Sequence, residues 1–285
     1  MGIRWFPIRI VINYISGRRL LRFRARMSNV LLILLWKLIL KYCEVLHLVE
    51  VGANNGEISK TFCQGSTNRS AWAFEANPIV FNELTSVGVP KNMQVYNLGI
   101  GSGHQQVMSL KVPVQNRSRN SGNGSFLEQV GQNDYQVFEV RMASVDSFIK
   151  ENLRKEGFAL WIDVEGFTYE VLLGSLSALE AQQISFIFLE MEARALWKSG
   201  ANAKSLDSFL RSLGYKRIAR DCEYPGQFNS IYTSIMQRKR VGLMCFVYRI
   251  CERVLLLSSL LILPAEIVAK LLKKVSNVIV RFHTR

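Results

Sequence analysis

Acidic side chains stand at the ends of short apolar runs in the middle of this 285-residue chain. Glu50 lies at the end of one such run and is followed by a turn that contains Gly52, Asn54 and Gly56. Glycines in such a turn permit tight backbone turning and close approach of a ligand. Because Asn54 replaces the middle glycine of GxGxxG, the turn argues against a dinucleotide dehydrogenase. In isolation, the motif is equally compatible with an ordinary strand-to-helix connection.

A second acid, Glu75, follows the next apolar run and precedes Asn77 and Pro78. A carboxylate at the end of such a strand can accept hydrogen bonds from both ribose hydroxyls of a nucleotide-like cofactor. These residues could instead only cap the next helix. Because this motif follows the glycine-containing turn in order, we predict that Glu75 and Asn77 bind a cofactor.

Two further carboxylates, Asp163 and Glu165, follow the apolar run that ends at Ile162. Glu190 and Glu192 end the next apolar run in the same way. Ligands of open α/β sheets bind at the carboxyl ends of the strands, and acids gathered there can raise one another's pKa and supply a base. We therefore predict that Asp163 and Glu165 are catalytic. Glu190 and Glu192 are equally compatible with salt bridges at a solvated rim.

The elements that must position these acids alternate along the middle of the chain. Helical stretches separate apolar, β-branched runs, which predicts a doubly wound, mostly parallel α/β sheet of Rossmann-like type. The predicted strands are 46–51, 71–74, 93–100, 159–162 and 184–189, and the predicted helices are about 55–64, 78–88, 144–153, 167–180 and 203–213. Two later runs, 215–219 and 230–234, predict an antiparallel hairpin at the sheet edge. Residues 113–136, rich in Asn, Ser, Gly and Gln, predict a long polar loop.

Charge divides the chain into three segments. The formal net charge is +14, but nine basic residues and one acid lie in 1–45, and ten basic residues and two acids lie in 237–285. The segment 46–236 holds 17 basic residues and 19 acids and is nearly neutral. We predict one domain over 46–236 with basic, helical extensions at both ends. Because the positive charge does not surround the predicted site, we expect no nucleic-acid partner.

The two basic extensions also contain apolar runs, 27–36 and 254–265, which are too short to span a membrane as helices. Over 264–282, basic and apolar side chains occupy separate arcs of a predicted helix. Such a helix can dock on an anionic membrane surface or pack on the domain with its basic face in solvent. We predict a cytoplasmic protein held peripherally on the inner face of the membrane, where a lipid-linked acceptor would also lie.

The cysteines and histidines indicate no metal site. Five cysteines are widely spaced without a CxxC pair, and none of three histidines pairs with another at metal-ligand spacing. We therefore predict neither a disulfide scaffold nor a structural zinc ion. A metal-assisted reaction that uses Asp163 and Glu190 is the less favoured alternative.

Four motifs, taken in order, resemble those of the FkbM-type methyltransferases. They are Val-Glu-Val-Gly-Ala-Asn-Asn-Gly at 49–56, Phe-Glu-Ala-Asn-Pro at 74–78, Ser-Val-Asp-Ser-Phe at 144–148 and Ile-Asp-Val-Glu-Gly at 162–166. The resemblance covers about 46–236. It implies a class I methyltransferase fold, S-adenosylmethionine as cofactor, and O-methylation of a hydroxyl on a sugar, glycan or other secondary metabolite. Trp161 stands where family members commonly have Lys, and Ala76-Asn77 interrupts their Glu-Pro-x-Pro.

The resemblance also implies a role for each motif. Glu50 and the turn that follows it, with Gly52, Asn54 and Gly56, would bind the cofactor, and the turn would hold its methionyl part. Glu75 would hold the ribose, and the segment with Gly99 and Ile100 the adenine. Asp163 or Glu165 would accept the proton of the acceptor hydroxyl. An RNA methyltransferase and a non-catalytic membrane-surface scaffold are the alternatives. The sequence specifies neither the acceptor nor the oligomeric state.

Overall fold

The computed structural model describes residues 18–114, 124–127, 135–153, 156–192, 202–221 and 227–258. The strands are β1 (His47–Val51), β2 (Ser70–Phe74), β3 (Met93–Tyr96), β4 (Gly99–Ile100), β5 (Val107–Pro113), β6 (Tyr135–Ala143), β7 (Phe158–Ile162), β8 (Ile184–Glu192), β9 (Tyr215–Arg220) and β10 (Gln227–Ser234). The helices are α1 (Arg18–Tyr42), α2 (Glu57–Gln64), α3 (Pro78–Ser86), α4 (Val145–Asn152), α5 (Thr168–Leu173), α6 (Leu176–Glu180), α7 (Ala203–Ser212) and α8 (242–258).

Seven strands form the main sheet in the order β3-β2-β1-β7-β8-β10-β9. All neighbours pair in parallel except β10, which is antiparallel to both β8 and β9. The predicted doubly wound, mostly parallel sheet is therefore confirmed, and so is the antiparallel hairpin. The predicted turn of that hairpin, at 224–226, lies outside the described residues. The chain runs outward from β1 to β3 and later from β7 to β8, so the strand order reverses between β1 and β7.

A second, three-stranded sheet with the order β4-β6-β5 was not predicted. The single strand expected over 93–100 is wrong, because the chain leaves the main sheet after β3 and β4 joins β6. Few side chains of β5 and β6 are buried, since this sheet has only a small core of Leu110, Val112 and Val140. A strand with so few buried positions shows little apolar alternation in its sequence. Most of the predicted polar loop, 115–123 and 128–134, lies outside the described residues.

The helix predicted over 167–180 is two helices, α5 and α6. Asp146 provides the reason, because its carboxylate accepts hydrogen bonds from the backbone N–H groups of Ser177 and Ala178 at 2.8 and 3.0 Å. These N–H groups belong to the first turn of α6, so the second helix has its own cap. Ser144, two residues earlier, caps α4 through a reciprocal pair with Ser147. The motif at 144–148 therefore caps the first turns of two helices, α4 and α6.

Both faces of the main sheet are covered, and α1 is part of one covering layer. Trp36 of α1 is fully buried and packs edge-on against Trp161 and Phe188, which stack on each other with ring centroids 3.6 Å apart. Helix α8 packs on the same sheet face through Val241, which precedes it, and through Cys245 and Tyr248. The hydrophobic core of this face therefore extends beyond the predicted domain boundaries at 45 and 236.

Across the part of the chain that the structure describes, no helix combines the length and the apolar character needed to cross a membrane. The basic amphipathic helix predicted over 264–282 lies outside that part.

Candidate active site

A cleft opens at the carboxyl ends of β1, β2 and β7, where the strand order of the sheet reverses. Such reversal points are where open α/β sheets bind ligands. The cleft encloses about 180 Å³ and continues into open solvent. Eight of the ten predicted site residues line it: Gly52, Asn54, Glu75, Asn77, Gly99, Ile100, Asp163 and Glu165.

Backbone N–H groups hold the carboxylate of Glu75 in the cleft. Its Oε2 accepts a hydrogen bond from the backbone N–H of Asn54, and its Oε1 accepts one from the backbone N–H of Asn77, both at 2.8 Å. Burial raises the pKa of Glu75, although these backbone donors lower it. A carboxylate offers about four acceptor positions, so Glu75 retains acceptor capacity beyond these two bonds.

Asn77 performs the capping role that the sequence left open. Its side-chain oxygen accepts a hydrogen bond from the backbone N–H of Ile79 at 3.0 Å and so caps α3. Asn97, which the sequence did not indicate, donates to the carbonyl oxygens of Glu75 and Ala76 at 2.8 and 3.2 Å. Asn97 therefore fixes the backbone that carries the Glu75 carboxylate. An asparagine after a strand gives no sequence signal for such a role.

Glu50 and Gly56 are the two predicted residues that do not line the cleft. Glu50 is buried under the first turn of α2, where its Oε2 accepts a hydrogen bond from the backbone N–H of Ser59 at 3.1 Å. Burial raises the pKa of Glu50 from an ordinary value of 4.5 to about 7. Gly56 faces Leu84 and Met93. Both residues thus support the turn between β1 and α2 without lining the cleft.

Gly52 brings the ends of β1 and β7 together. It has a φ of +84°, and a Cβ at this position would overlap the carbonyl oxygen of Asp163. The backbone N–H of Asp163 donates to the carbonyl oxygen of Val51 at 3.0 Å. Only glycine permits this approach, because any other side chain would collide with the neighbouring backbone. The glycine in the turn therefore places Asp163 beside the first motif.

Asp163 is the acid whose protonation the site alters most clearly. Its surface is open to the cleft, but the surrounding protein displaces much of the water from its carboxyl group. This desolvation raises the pKa of Asp163 well above its usual range, and the neighbouring Glu190 raises it further by charge repulsion and a hydrogen bond. A carboxylate with a raised pKa can serve as a general base near neutral pH.

Apolar side chains form the remaining walls of the cleft. Phe126 and Phe167 lie with ring centroids 5.2 Å apart, and Leu98 and Leu110 complete this side. Ser125, next to Phe126, donates its hydroxyl to the carbonyl oxygen of Glu165 at 3.2 Å. This contact ties residues 124–127 to the loop after β7. Their long sequence separation explains why the sequence did not indicate these aromatic residues.

The side chain of Trp161 does not line the cleft. The Trp161 ring is buried between α1 and the sheet, so the departure from the family's lysine lies in the helical layer and not among the residues that line the cleft. Within the described ranges, no group of three or more His, Cys, Asp or Glu side chains is arranged to hold a metal ion.

Several solved structures show limited similarity to this chain. The Methanococcus jannaschii fibrillarin pre-rRNA processing protein is 12% identical, with 67% of this chain and 66% of that chain covered and a TM-score of 0.39. The precorrin-6y C5,15-methyltransferase from Geobacter metallireducens GS-15 is 14% identical, with 66% and 79% covered and a TM-score of 0.33. A comparison with curated protein sequences gives no match.

The family is shown by the sequence itself. A model of the methyltransferase FkbM domain matches residues 50–217, which is more than half of the chain and includes all four motifs apart from one residue at the start of the first. The matched range extends from the acid before the glycine turn to the edge strand β9 and therefore contains the whole cleft described above. The chain belongs to the FkbM methyltransferase family.

Proposed function

We propose that this protein is an S-adenosylmethionine-dependent O-methyltransferase that acts on a hydroxyl of a sugar, glycan or glycolipid. The observation that carries the proposal is the Glu75 carboxylate, which two backbone N–H groups hold at one side of a cleft whose other side contains Asp163. One acid is thus available to bind hydroxyls, and the raised pKa of another favours its use as a proton acceptor.

The residues of the cleft fit a nucleoside cofactor of this kind. Glu75 would hold the ribose hydroxyls with the acceptor positions that its backbone hydrogen bonds leave. The apolar wall that includes Leu98, Ile100 and Phe126 would accommodate a flat, largely apolar ring. When bound, S-adenosylmethionine supplies an activated methyl group. Glu50 and Gly56 would act indirectly, because they hold the turn and do not line the cleft.

Asp163 is the proposed general base. It would accept the proton of an acceptor hydroxyl and so make the oxygen a better nucleophile, a contribution of about 10²- to 10⁴-fold in typical enzymes. Positioning of the acceptor supplies the rest of the protein's contribution. Glu165, which also lines the cleft, is a second candidate for this proton.

The charge of the cleft favours a neutral acceptor over RNA. Among its lining residues in the described part of the chain are three acids, Glu75, Asp163 and Glu165, and neither Lys nor Arg. A polyanion would be repelled by this lining, whereas sugar hydroxyls can donate hydrogen bonds to it. The O-methylation of a glycan is therefore preferred to the RNA alternative.

Calorimetric titration of the purified chain with S-adenosylmethionine tests the cofactor. We expect Glu75→Ala to weaken binding by about 1.5–3 kcal/mol, which is the usual range for hydrogen bonds to a charged group. Glu83→Ala, an exposed acid on the neighbouring helix α3, is the matched control and should bind like the parent. Equal affinities for the parent and Glu75→Ala would refute the ribose assignment.

Methyl transfer from labelled cofactor to a panel of neutral glycans and to RNA tests the acceptor class. We expect labelled glycan whose label resists mild alkali, as a methyl ether does, whereas a methyl ester would release labelled methanol. Labelled RNA together with unlabelled glycans would overturn the acceptor assignment while leaving the cofactor assignment intact.

A further inference from the structure

Helix α1 is apolar on both of its sides. One side is buried against the sheet through Leu32, Trp36 and Ile39. The opposite side carries a stripe of large apolar residues at helical spacing, each 36–57% exposed: Phe23, Met27, Val30, Leu34 and Leu38. A helix that covers a soluble domain usually presents a polar outer side. The stripe therefore needs an explanation other than packing on the domain.

Helix α8 repeats this arrangement. Its inner side is buried through Cys245, Tyr248 and Leu256. Its outer side carries a second stripe, 45–76% exposed: Leu243, Phe246, Ile250, Val254 and Leu257. Since α1 and α8 pack on the same face of the main sheet, their outer sides point away from it in the same direction. We call the two stripes together the outer helical face.

The charges beside the outer helical face have one sign. Exposed basic residues accompany both stripes: Arg26, Lys37, Lys41, Arg249 and Arg253. Three more exposed basic residues, at 238–240, directly precede α8. In α1 and over 235–258 the only acid is Glu252, which is buried. Large exposed apolar patches mark interaction sites, and exposed basic residues beside them favour an anionic partner.

We propose that the outer helical face docks this protein on an anionic lipid bilayer, with α1 and α8 lying in the plane of the membrane surface. Apolar stripes flanked by Arg and Lys are the pattern with which helices insert about 5–10 Å into the boundary between headgroups and acyl chains. Each basic residue near an anionic leaflet adds about 1 kcal/mol of attraction. At about 37 Å, α1 would provide an extended contact along the surface. This proposal stands independently of the proposed methylation reaction.

Charge distinguishes this partner from a second copy of the chain. Two copies that met through the outer helical face would bring Arg and Lys side chains of the same sign together, with no exposed acid on either helix to pair with them. An anionic lipid surface instead complements these charges while it covers the apolar stripes. The lipid partner is therefore the one that both properties of the face support.

Flotation of the full-length chain with vesicles tests the proposal. We expect binding to vesicles of phosphatidylcholine and phosphatidylglycerol at 50 mM salt, weaker binding at 300 mM salt and little binding to phosphatidylcholine alone. The variant Leu34→Gln/Phe246→Gln/Ile250→Gln should bind the anionic vesicles at least tenfold more weakly. The matched control Leu46→Gln/Val87→Gln/Val107→Gln changes equally exposed apolar residues elsewhere and should bind like the parent.

A labelled variant reports the face directly and does not depend on the triple variant. An environment-sensitive fluorophore on Ile250→Cys, with Cys222 and Cys251 changed to Ser, should shift to shorter wavelength on anionic vesicles, whereas the same label on Val87→Cys should not. Absence of parent binding to anionic vesicles would overturn the proposal. So would an unchanged affinity of the folded triple variant, which would place the contact elsewhere in the chain. A parent dimer that the triple variant converts to a monomer, without vesicle binding, would assign the face to a second copy.

Discussion

The cleft at the carboxyl ends of the strands and the outer helical face carry opposite charges. The described lining of the cleft includes three acids and no Lys or Arg, whereas the exposed charged residues of α1 and α8 are all basic. The overall charge of +14 therefore describes neither region. Opposite local charges suit two different partners, a hydroxyl-bearing molecule in the cleft and an anionic surface at the helices.

Glu50 and Glu75 occupy similar positions in their motifs but have different surroundings in the structure. The two acids lie at the carboxyl ends of the neighbouring strands β1 and β2, yet Glu75 lines the cleft and Glu50 is buried under α2. The difference follows from their positions along the strands, because Glu50 pairs with Ala73 inside the sheet, whereas Glu75 follows the last residue of β2 and so lies at the rim. Similar motif positions thus place one acid in the cleft and the other in the interior of the protein.

The largest expected effect is that of Asp163→Asn. We expect kcat for methyl transfer to fall by about 10²- to 10⁴-fold, because the variant cannot accept a proton. The thermal midpoint at pH 7 should not fall, since desolvation by the surrounding protein and the neighbouring Glu190 disfavour the charge that the substitution removes. Steady-state kinetics and calorimetric unfolding measure the two quantities. A folded Asp163→Asn enzyme with full activity would exclude Asp163 as the base, and Glu180→Gln, at an exposed position of α6, is the control.

The two sides of α1 provide the second test. Trp36→Ala should lower the free energy of unfolding by about 3–5 kcal/mol, because it removes a fully buried aromatic ring. Leu34→Ala, on the outer side of the same helix, should change it by about 0.5 kcal/mol or less. Urea unfolding measures both. A small effect of Trp36→Ala would mean that the domain is stable without α1, as the predicted boundary at 45 implies.

Glu50 should make the folded protein less stable as pH rises. Its folded pKa of about 7 lies above its ordinary value of 4.5, so the folded state binds more protons than the unfolded state between these values. Stability contributed by protonated Glu50 is therefore present below about pH 4.5 and is lost as pH rises through about 7, in total roughly 3 kcal/mol. Urea unfolding at pH 5 and pH 8 should show a smaller decrease for Glu50→Gln than for the parent. Glu83→Gln, at an exposed position of α3, should retain the parent's decrease.

The smallest expected effect is a shift in a pH profile. Glu190→Gln removes the charge that raises the pKa of Asp163. The acidic limb of the profile of kcat/KM should therefore move to lower pH, while activity on the plateau changes little. An unmoved limb would show that the limb does not report Asp163.

Most of the sheet and most of the candidate site could be predicted from short motifs. Buried strands such as 158–162 are continuous apolar runs, and each is followed by polar residues that must lie at the rim. The second sheet could not be predicted, because β5 and β6 bury few residues and pair across a long segment. Phe126 and Phe167 were missed for a related reason, since their contact joins loops that are distant in sequence.

The sequence by itself determined which residue types reach the carboxyl rim, because a strand delivers the residue after it to that edge regardless of its neighbours. The tertiary structure alone decided which of these residues share the cleft. Gly52 permits the backbone of Asp163 to approach β1, and Asn97 fixes the loop of Glu75, while Glu50 is turned under α2. The tertiary structure also decided that α1 is buried on one side and exposed on the other. Hydropathy records that a side chain is apolar, but only packing against the sheet determines which apolar side remains for another partner.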